Sequence, residues 1–146
     1  MIEITQEEVN EAIRLHGLWF KDKTTGKRAN FSGRDLSGLY LSGVNLNSAD
    51  LRRANLSKAN LSHANLSFSN LSDANLSYAY LSDTYLSGAN FSGANFKGAD
   101  LRRANLMWAD LRWADFTGAD CRGVIWYKAI YDSTTVFPDF KGLNKG

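Results

Sequence analysis

The sequence predicts an all-β solenoid with a helical cap at its N-terminus and an irregular cap at its C-terminus. Three observations support this fold class: an apolar residue recurs at every fifth position, the residues around it repeat almost as strictly, and both ends of the chain abandon the repeat. A period of five fits neither one long helix nor an ordinary alternating strand. It fits a coil that turns a corner every five residues.

The repeat is built around a large apolar residue, and we call this position the centre. Every fifth residue from Phe31 to Phe116 is Leu or Phe, eighteen in a row, and Cys121 and Trp126 continue the register. We expect the centres to fill the axis of the coil, because large apolar side chains gain most from burial. The centres that we assign to the structural core are Phe31, Leu36, Leu51, Leu71, Phe91, Leu111 and Phe116.

The positions before the centre are also restricted. Two residues before it, Ala fills fourteen of the nineteen places from Ala29 to Ala119, and a small residue there lets the wall approach the axis. Asn or Asp directly precedes the centre in all but three of those places, where Tyr40, Tyr80 and Tyr85 stand. Asn and Asp suit turns because their side chains hydrogen-bond the local backbone. Each unit therefore carries its own inward-facing residues and its own turn residue.

Three successive units show the pattern most clearly. They begin at Ala49, Ala54 and Ala59 and read Ala-Asp-Leu-Arg-Arg, Ala-Asn-Leu-Ser-Lys and Ala-Asn-Leu-Ser-His. These units resemble the pentapeptide-repeat family, and the resemblance covers about residues 29 to 128. It implies a right-handed quadrilateral β-helix with four pentapeptides per coil, and therefore about five coils in this chain.

The N-terminal segment predicts an amphipathic helix that lies across the first coil. Thr5 to Glu8 has the pattern of a capping box, with Thr at the N-cap and Glu three residues later. The residues that follow at helical spacing on one face are Val9, Ala12, Ile13 and His16. We interpret His16 as a hydrogen-bonded structural residue, since a lone His on an apolar face is more often structural than a ligand. Residues 24–27 read as a turn into the rod.

The C-terminal segment predicts a cover for the last coil. The repeat decays after Cys121, and Pro138, the one proline, marks the exit from regular structure. The apolar residues available to cover the coil are Val124, Ile125, Trp126, Ile130, Tyr131, Val136, Phe137 and Phe140. We therefore divide the chain into a capping helix and turn at 1–28, the β-helix at 29–128, and a C-terminal cap and tail at 129–146.

Composition argues against several kinds of partner. The formal net charge of +2 is too small to predict a nucleic-acid or membrane partner, and aspartates interleave the arginines at 102, 103 and 122. No stretch approaches the ~18 apolar residues of a membrane helix. The N-terminus does not resemble a signal peptide, and a single cysteine excludes an internal disulfide framework. We therefore expect a cytoplasmic protein with no membrane partner, and we disfavour nucleic-acid binding.

The chain offers little for catalysis, and we expect no enzyme activity, no cofactor and no metal site. Two histidines and one cysteine do not make an ordinary zinc site without carboxylates. Cys121 occupies a centre, so we expect it to be buried and inert. In a four-sided coil His63 lies one coil from Asp83, beside Ser62, and this trio invites comparison with a catalytic triad. Because almost every unit supplies a Ser, we prefer to interpret it as a surface His–Asp contact.

Folding the sequence at twenty residues per coil groups aromatic residues where the repeat elsewhere has Ser, Asn or Gly. The predicted partner-binding residues are Phe68, Tyr78, Tyr80, Tyr85, Met107, Trp108, Trp113 and Tyr127. Exposed aromatic clusters with polar rims mark interaction sites. Gly88 falls between Phe68 and Trp108 in one column and is expected to leave a notch. Alternatively, Met107, Trp108 and Tyr127 pack under the C-terminal tail.

We therefore predict a non-catalytic protein–protein interaction module or scaffold that binds an unidentified protein partner through this aromatic patch. Residues 129–138 are similar to a C-terminal ending of some bacterial members of the family, which implies a protein of bacterial type. The resemblance also implies a homodimer through the C-terminal coils, and an alternative function as a DNA mimic that modulates or protects DNA gyrase. Such mimicry needs a long, strongly acidic surface, whereas this chain has a net positive charge.

Overall fold

The structure is a computed structural model that describes residues 1–139, so Phe140, which the sequence assigns to the C-terminal cap, lies outside the described residues. The regular elements are strand β1 (Ile2–Glu3), helix α1 (Gln6–Lys21) and strand β2 (Arg34–Asp35). Strands β1 and β2 pair in parallel. From residue 30 onward, the backbone forms a long series of isolated parallel bridges. No helix within the described range is long and apolar enough to cross a membrane.

The bridges stack the chain into a parallel ladder that repeats every twenty residues. The first joins Asn30 to Asp50, and this spacing is kept as far as the bridge from Asp110 to Ile130. Two backbone hydrogen bonds make each rung; for example, Leu36 N donates to Asn55 O at 2.7 Å, and Asn55 N donates to Arg34 O at 2.9 Å. Four pentapeptides therefore separate each residue from its neighbour on the next coil of this β-helix.

The centres fill the axis, as the repeat predicts. The core residues that are at most 1% exposed include Phe31, Leu36, Leu51, Leu71, Phe91, Leu111 and Phe116. Ser69 and Thr84 replace Ala at the small inward position, and each hydroxyl donates to the carbonyl of the preceding centre, so neither buried group lacks a partner. Burial raises the pKa of the Cys121 thiol to about 12, so the thiol stays protonated at neutral pH.

Each corner combines a side-chain hydrogen bond with a left-handed backbone residue. Asn55 Oδ1 accepts from Ser57 N at 3.1 Å, and the same contact recurs wherever Asn or Asp precedes a centre. Two places after each centre the backbone has a positive φ, for example +67° at Gly38 and +58° at Arg53. Glycine adopts this conformation without strain, whereas other residues lose about 1–2 kcal/mol. Eight glycines and twelve non-glycine residues adopt this conformation at the corners.

The prediction of a notch at Gly88 is wrong, because a neighbouring side chain fills the space. A Cβ added to Gly88 would lie 2.6 Å from Phe68 Cε1 and 2.7 Å from Phe68 Cδ1. The ring of Phe68 therefore lies over Gly88, and the ring of Tyr78 covers Gly98 in the same way, with Cε1 2.5 Å from the added Cβ. Corner side chains lean over the next coil, and spacing along the sequence does not show that direction.

Helix α1 begins as the sequence predicts. Thr5 is the N-cap: its Oγ1 accepts from Glu8 N at 3.2 Å, while Glu8 Oε2 accepts from Thr5 N at 2.8 Å. This capping box satisfies two amide groups that a helix start would otherwise leave without partners. Val9 is fully buried in the same apolar cluster as the centres, so the helix lies against the first coil.

Polar side chains of α1 pair with the open edge of the first coil. Gln6 Nε2 donates to Tyr40 O at 3.3 Å, and Gln6 Oε1 accepts from Tyr40 N at 3.0 Å. One amide side chain thus makes the two hydrogen bonds that a preceding coil would make. After the helix, Arg28 Nε donates to Ser48 O at 2.6 Å. The first coil therefore ends against side chains instead of against solvent.

At the other end, an aromatic group covers the axis. The ring of Phe116 stacks on Phe137 with centroids 6.1 Å apart, and Trp126 meets both rings edge-on at 5.5 Å. The predicted covering role is confirmed for these two C-terminal residues, Trp126 and Phe137. Tyr131 joins this group through an edge-on contact with Phe137, with centroids 5.2 Å apart, although its side chain is exposed. The covering role is wrong for Ile125, Ile130 and Val136, which are 46–50% exposed and occupy outward positions on the last rungs.

Candidate functional site

Five of the predicted partner-binding residues share one face of the rod. The twenty-residue ladder places them in neighbouring columns, as the bridges from Asn65 to Tyr85 and from Tyr85 to Asn105 show. Trp108 N donates to Tyr127 O at 3.2 Å, which joins two members across adjacent coils. We call this set the aromatic face, and it consists of Phe68, Tyr85, Met107, Trp108 and Tyr127.

The aromatic face is open to solvent. The exposed fractions of Phe68, Tyr85, Trp108 and Tyr127 lie between 53% and 65%, and Met107 is half-buried. Burial of Trp108 and Tyr127 under the C-terminal segment, the alternative that the sequence left open, does not occur within residues 1–139. These side chains are therefore available to a partner in the described structure.

The other three predicted residues stand apart from this face. Tyr80 lies on the neighbouring face, Tyr78 lies at the corner before it, and Trp113 projects from the face centred on Leu111. All three are exposed. None of the eight predicted residues is in ring contact with another in the part of the chain that the structure describes. The predicted patch thus divides into one concentrated face and three separate side chains.

Tyr85 replaces a residue that the corner uses structurally. On the coils to either side, Asn65 accepts from Ser67 N and Asn105 accepts from Met107 N, both at 3.0 Å. A tyrosine side chain cannot reach back to the backbone in this way. Within residues 1–139, Ser87 N consequently has no such side-chain acceptor. The tyrosine therefore gives up a hydrogen bond that is worth about 0.5–1.5 kcal/mol.

Trp108 also departs from what the backbone favours. Its φ is +58°, in the left-handed region where Gly88 stands one coil earlier in the same column. A bulky residue in this region is unusual and is destabilised by about 1–2 kcal/mol relative to glycine. Trp113, with φ +63°, shows the same departure on another face. The Trp108 indole is therefore held on the surface against a local conformational preference.

The aromatic face is nearly free of charge. On each coil this face has three outward positions, which lie one residue before, one after and two after the centre. Among residues 45–128 these positions contain a single charged side chain, Lys128, whose Nζ lies 5.6 Å from the centroid of the Tyr127 ring. The neighbouring faces carry several aspartates and arginines each. The buried centres of protein–protein interfaces are depleted in charged residues and enriched in Tyr, Trp, Phe and Met. The composition of the aromatic face matches that description.

One apolar residue on this face was not among the predicted site residues. Ile125 occupies the position that Asn usually fills, it bridges to Asn105, and it is 46% exposed. The sequence assigned it to the cover of the last coil. The available signal was the loss of the Asn at this position of the repeat, because an apolar residue there must face outward.

The basic cluster predicted at residues 102, 103 and 122 is neutralised by paired carboxylates. Arg102 makes two hydrogen bonds to Asp100, at 2.8 and 2.7 Å, and Arg122 pairs with Asp120 in the same geometry. The hydrogen bond from Arg102 holds the pKa of Asp100 below its usual value, so the carboxylate remains charged at neutral pH. Such a cluster presents little net positive charge to a polyanion.

His63 and Asp83 make a surface contact, which is the interpretation that the sequence favours. His63 Nε2 lies 4.0 Å from Asp83 Oδ2, and Asp83 is held by Arg103 at 2.8 and 2.9 Å. The hydroxyl of Ser62 donates to Asn60 Oδ1 at 2.7 Å, so the serine is engaged away from the histidine. No cluster of three or more His, Cys, Asp or Glu residues suitable for a metal ion occurs among residues 1–139.

Comparison with known proteins gives the repeat a family context. The profile of the family described as Pentapeptide repeats matches eight copies, over residues 27–62, 69–106 and 104–125. The pentapeptide repeat protein Rfr23 from the cyanobacterium Cyanothece 51142 is 34% identical; the match covers 70% of this chain and 90% of that one, with a TM-score of 0.35.

Two further solved structures are similar to this chain. The pentapeptide repeat protein alr5209 from Nostoc Pcc 7120 is 28% identical, over 95% of this chain and 88% of its own, with a TM-score of 0.49. The plasmid-mediated fluoroquinolone resistance protein QnrB1 is 22% identical, over 77% of this chain and 69% of its own, with a TM-score of 0.34. Among curated proteins there is no significant match.

Proposed function

Because this chain belongs to the pentapeptide-repeat family, whose members are generally structural or interaction modules and not enzymes, we propose that it is a non-catalytic module that binds a protein partner through the aromatic face. The right-handed β-helix of this family, here about five coils, supplies a rigid support for that face. The ladder fixes the backbone that carries these side chains. Little backbone freedom therefore has to be lost on binding.

A single observation carries the proposal: two residues of the aromatic face are retained at a local cost in stability. Tyr85 forgoes the corner hydrogen bond that Asn65 and Asn105 make, and Trp108 occupies a left-handed corner that favours glycine. Residues that oppose the local structural preference and remain exposed are candidates for function. Tyr and Trp are also the residue types most enriched among the dominant contacts of interfaces.

The test exchanges two tryptophans in matched surroundings. Trp108→Gly removes the indole from the aromatic face, and Trp113→Gly removes an indole that is also exposed, 69% against 53%, from another face. Both positions have the same left-handed backbone, so glycine should leave both variants at least as stable as the wild type. Immobilised wild type and variants are incubated with lysate, and bound proteins are identified by quantitative mass spectrometry.

We expect a protein captured by the wild type to be lost with Trp108→Gly and retained with Trp113→Gly. A second variant, Tyr85→Asn, restores the Asn column and should also abolish capture while raising stability by about 0.5–1.5 kcal/mol. Equal capture by the wild type, Trp108→Gly and Tyr85→Asn would overturn the assignment of the aromatic face.

The DNA mimicry and the homodimer that the family resemblance implied stay predictions. DNA mimicry is tested by a gyrase supercoiling assay with and without a quinolone, and inhibition or protection at low micromolar protein would place this chain in that class. The positive net charge and the arginine-bearing faces do not favour it. Dimerisation through the C-terminal coils is tested by measuring the mass in solution by light scattering.

A further inference from the structure

His16 joins α1 to the first coil through both nitrogens of its ring. The residue is fully buried. Its Nδ1 accepts from Ala29 N at 2.9 Å, which requires Nδ1 to be unprotonated, and its Nε2 therefore donates to Asn47 O at 2.9 Å. The neutral imidazole thus satisfies one donor and one acceptor at the edge of the first coil. Only the neutral form can make both contacts.

A protonated His16 does not fit this environment. Both ring nitrogens would carry hydrogens, so Nδ1–H would face Ala29 N–H, donor against donor. The charged groups that act on the ring are cations from the segment after α1, Lys23 and Arg28. On α1 itself the nearest ring is Trp19, whose centroid is 5.3 Å away. Burial, reinforced by the two cations, lowers the pKa of His16 below its usual value of 6.5.

We propose that His16 makes the N-terminal cap pH-sensitive, so that protonation of its ring releases α1 from the first coil. Among residues 1–139, the hydrogen bonds of His16 and those of Gln6 with Tyr40 are the side-chain hydrogen bonds that hold the helix to the edge of the first coil. Loss of the His16 hydrogen bonds therefore weakens the attachment of the helix. In a solenoid each coil contacts only its neighbours, so the helix can open while the middle of the rod stays folded.

The sign of the pH dependence follows from the two states. The attached helix resists protonation of His16, whereas the released helix has a histidine with the ordinary value of 6.5. Above that pH, both states are neutral and the release equilibrium does not change. Below it, release becomes more favourable by up to about tenfold per pH unit, until the pH reaches the lowered pKa of the attached state. Acid therefore opens the cap, and alkali closes it.

Hydrogen exchange of the full chain between pH 7.5 and 5 tests the proposal. Exchange rates are divided by the intrinsic rate at each pH to give opening constants for α1 and for mid-rod amides such as Leu71. We expect the opening constant of α1 to rise severalfold between pH 6.5 and 5, up to about fifteenfold, and to exceed that of the mid-rod amides at every pH. A pH-independent opening constant for α1, or equal opening constants for α1 and Leu71, would overturn the proposal.

Two histidine variants separate the roles of the two imidazoles. His63→Gln removes the exposed histidine of the rod and should leave the pH profile of α1 unchanged. His16→Asn keeps a side-chain acceptor for Ala29 N but does not titrate. The opening constant of α1 in this variant should therefore not change with pH, whatever its value. A wild-type-like rise in His16→Asn would show that another group releases the cap. If α1 of this variant attaches poorly to the first coil, the pH dependence measured for the wild type still tests the proposal.

Discussion

The two ends of the rod are closed in different ways. At the N-terminal end, Gln6 and His16 of α1 pair with backbone groups of the first coil, and β1 pairs with β2. At the C-terminal end, Trp126 and Phe137 cover the apolar axis with aromatic rings. The first closure combines apolar packing of Val9 with side-chain hydrogen bonds to the backbone edge, and the second is mainly apolar and directed at the core.

The C-terminal edge of the ladder is closed in part by a side chain. Thr134 Oγ1 accepts from Trp113 N at 2.8 Å, and this side chain substitutes for one missing rung. Within residues 1–139, the amides of Gly123 and Lys128 find no acceptor. An edge with unpaired amides and exposed apolar neighbours favours the addition of another chain. Covering a core and pairing a backbone edge are therefore separate tasks, and the two ends of the described chain accomplish them with different groups.

The largest effect is expected from breaking the axis that both ends cover. Leu71→Asp places a carboxylate without a partner at a fully buried mid-rod position. We expect no folded protein by circular dichroism and size-exclusion chromatography. Lys58→Asp is the control, since Asp73 and Asp83 already occupy the same exposed corner position, and it should fold. A soluble and folded Leu71→Asp variant would refute the axial core.

A smaller effect is expected at the turn that connects α1 to the rod. Gly26 has φ +64°, and a Cβ there would meet Leu15 O and lie 2.7 Å from Leu18 Cβ. Gly26→Ala should lower the free energy of unfolding by about 3 kcal/mol through strain and overlap. Gly43→Ala shares the positive φ but meets nothing within 4 Å, so it should lower it by only about 1 kcal/mol. Equal losses in urea denaturation would contradict this account of the turn.

At the C-terminal end, Trp126→Ala tests the aromatic cover. The indole is half-buried between Phe116 and Phe137, and its removal should lower the free energy of unfolding by about 2 kcal/mol. Hydrogen exchange should accelerate in the last coils and stay unchanged in α1. Exchange that accelerates equally at both ends would show that the two closures are coupled.

The smallest effect is expected from the side chains that substitute for missing rungs. Gln6→Ala removes both hydrogen bonds to Tyr40 and should lower the free energy of unfolding by about 1–2 kcal/mol. Thr134→Val removes the hydrogen bond from Trp113 N and an exposed one to Asp132, and it should lower the free energy of unfolding by about 0.5–1 kcal/mol because water can replace the second. Both values come from chemical denaturation. If Thr134→Val has the larger effect, the C-terminal edge depends more on polar closure than the geometry indicates.

Much of the fold follows from short stretches of sequence. The alternation of centre, small residue and Asn or Asp predicts the buried axis and the corner hydrogen bonds, because each depends on residues within one pentapeptide. The capping box of Thr5 and Glu8 was predictable for the same reason. The twenty-residue coil came from the family resemblance, since a period of five alone does not specify how many corners close a coil.

The candidate site was only partly predictable. Spacing assigned Phe68, Tyr85 and Trp108 to one face, but it did not show that the ring of Phe68 covers Gly88. Nor did it show that Ile125 faces outward. These facts depend on the direction in which a side chain leans across coils, and residue spacing does not contain that direction.

The sequence by itself determined the axis, the corners and the existence of a helical cap, because local hydrogen bonds and burial act within a few residues of the chain. Only the tertiary structure decided how the ends are closed. Gln6 and His16 reach the first coil across more than ten residues of sequence, and their partners are backbone atoms that every residue type possesses. No pattern of side chains can specify such contacts before the helix is seated on the coil.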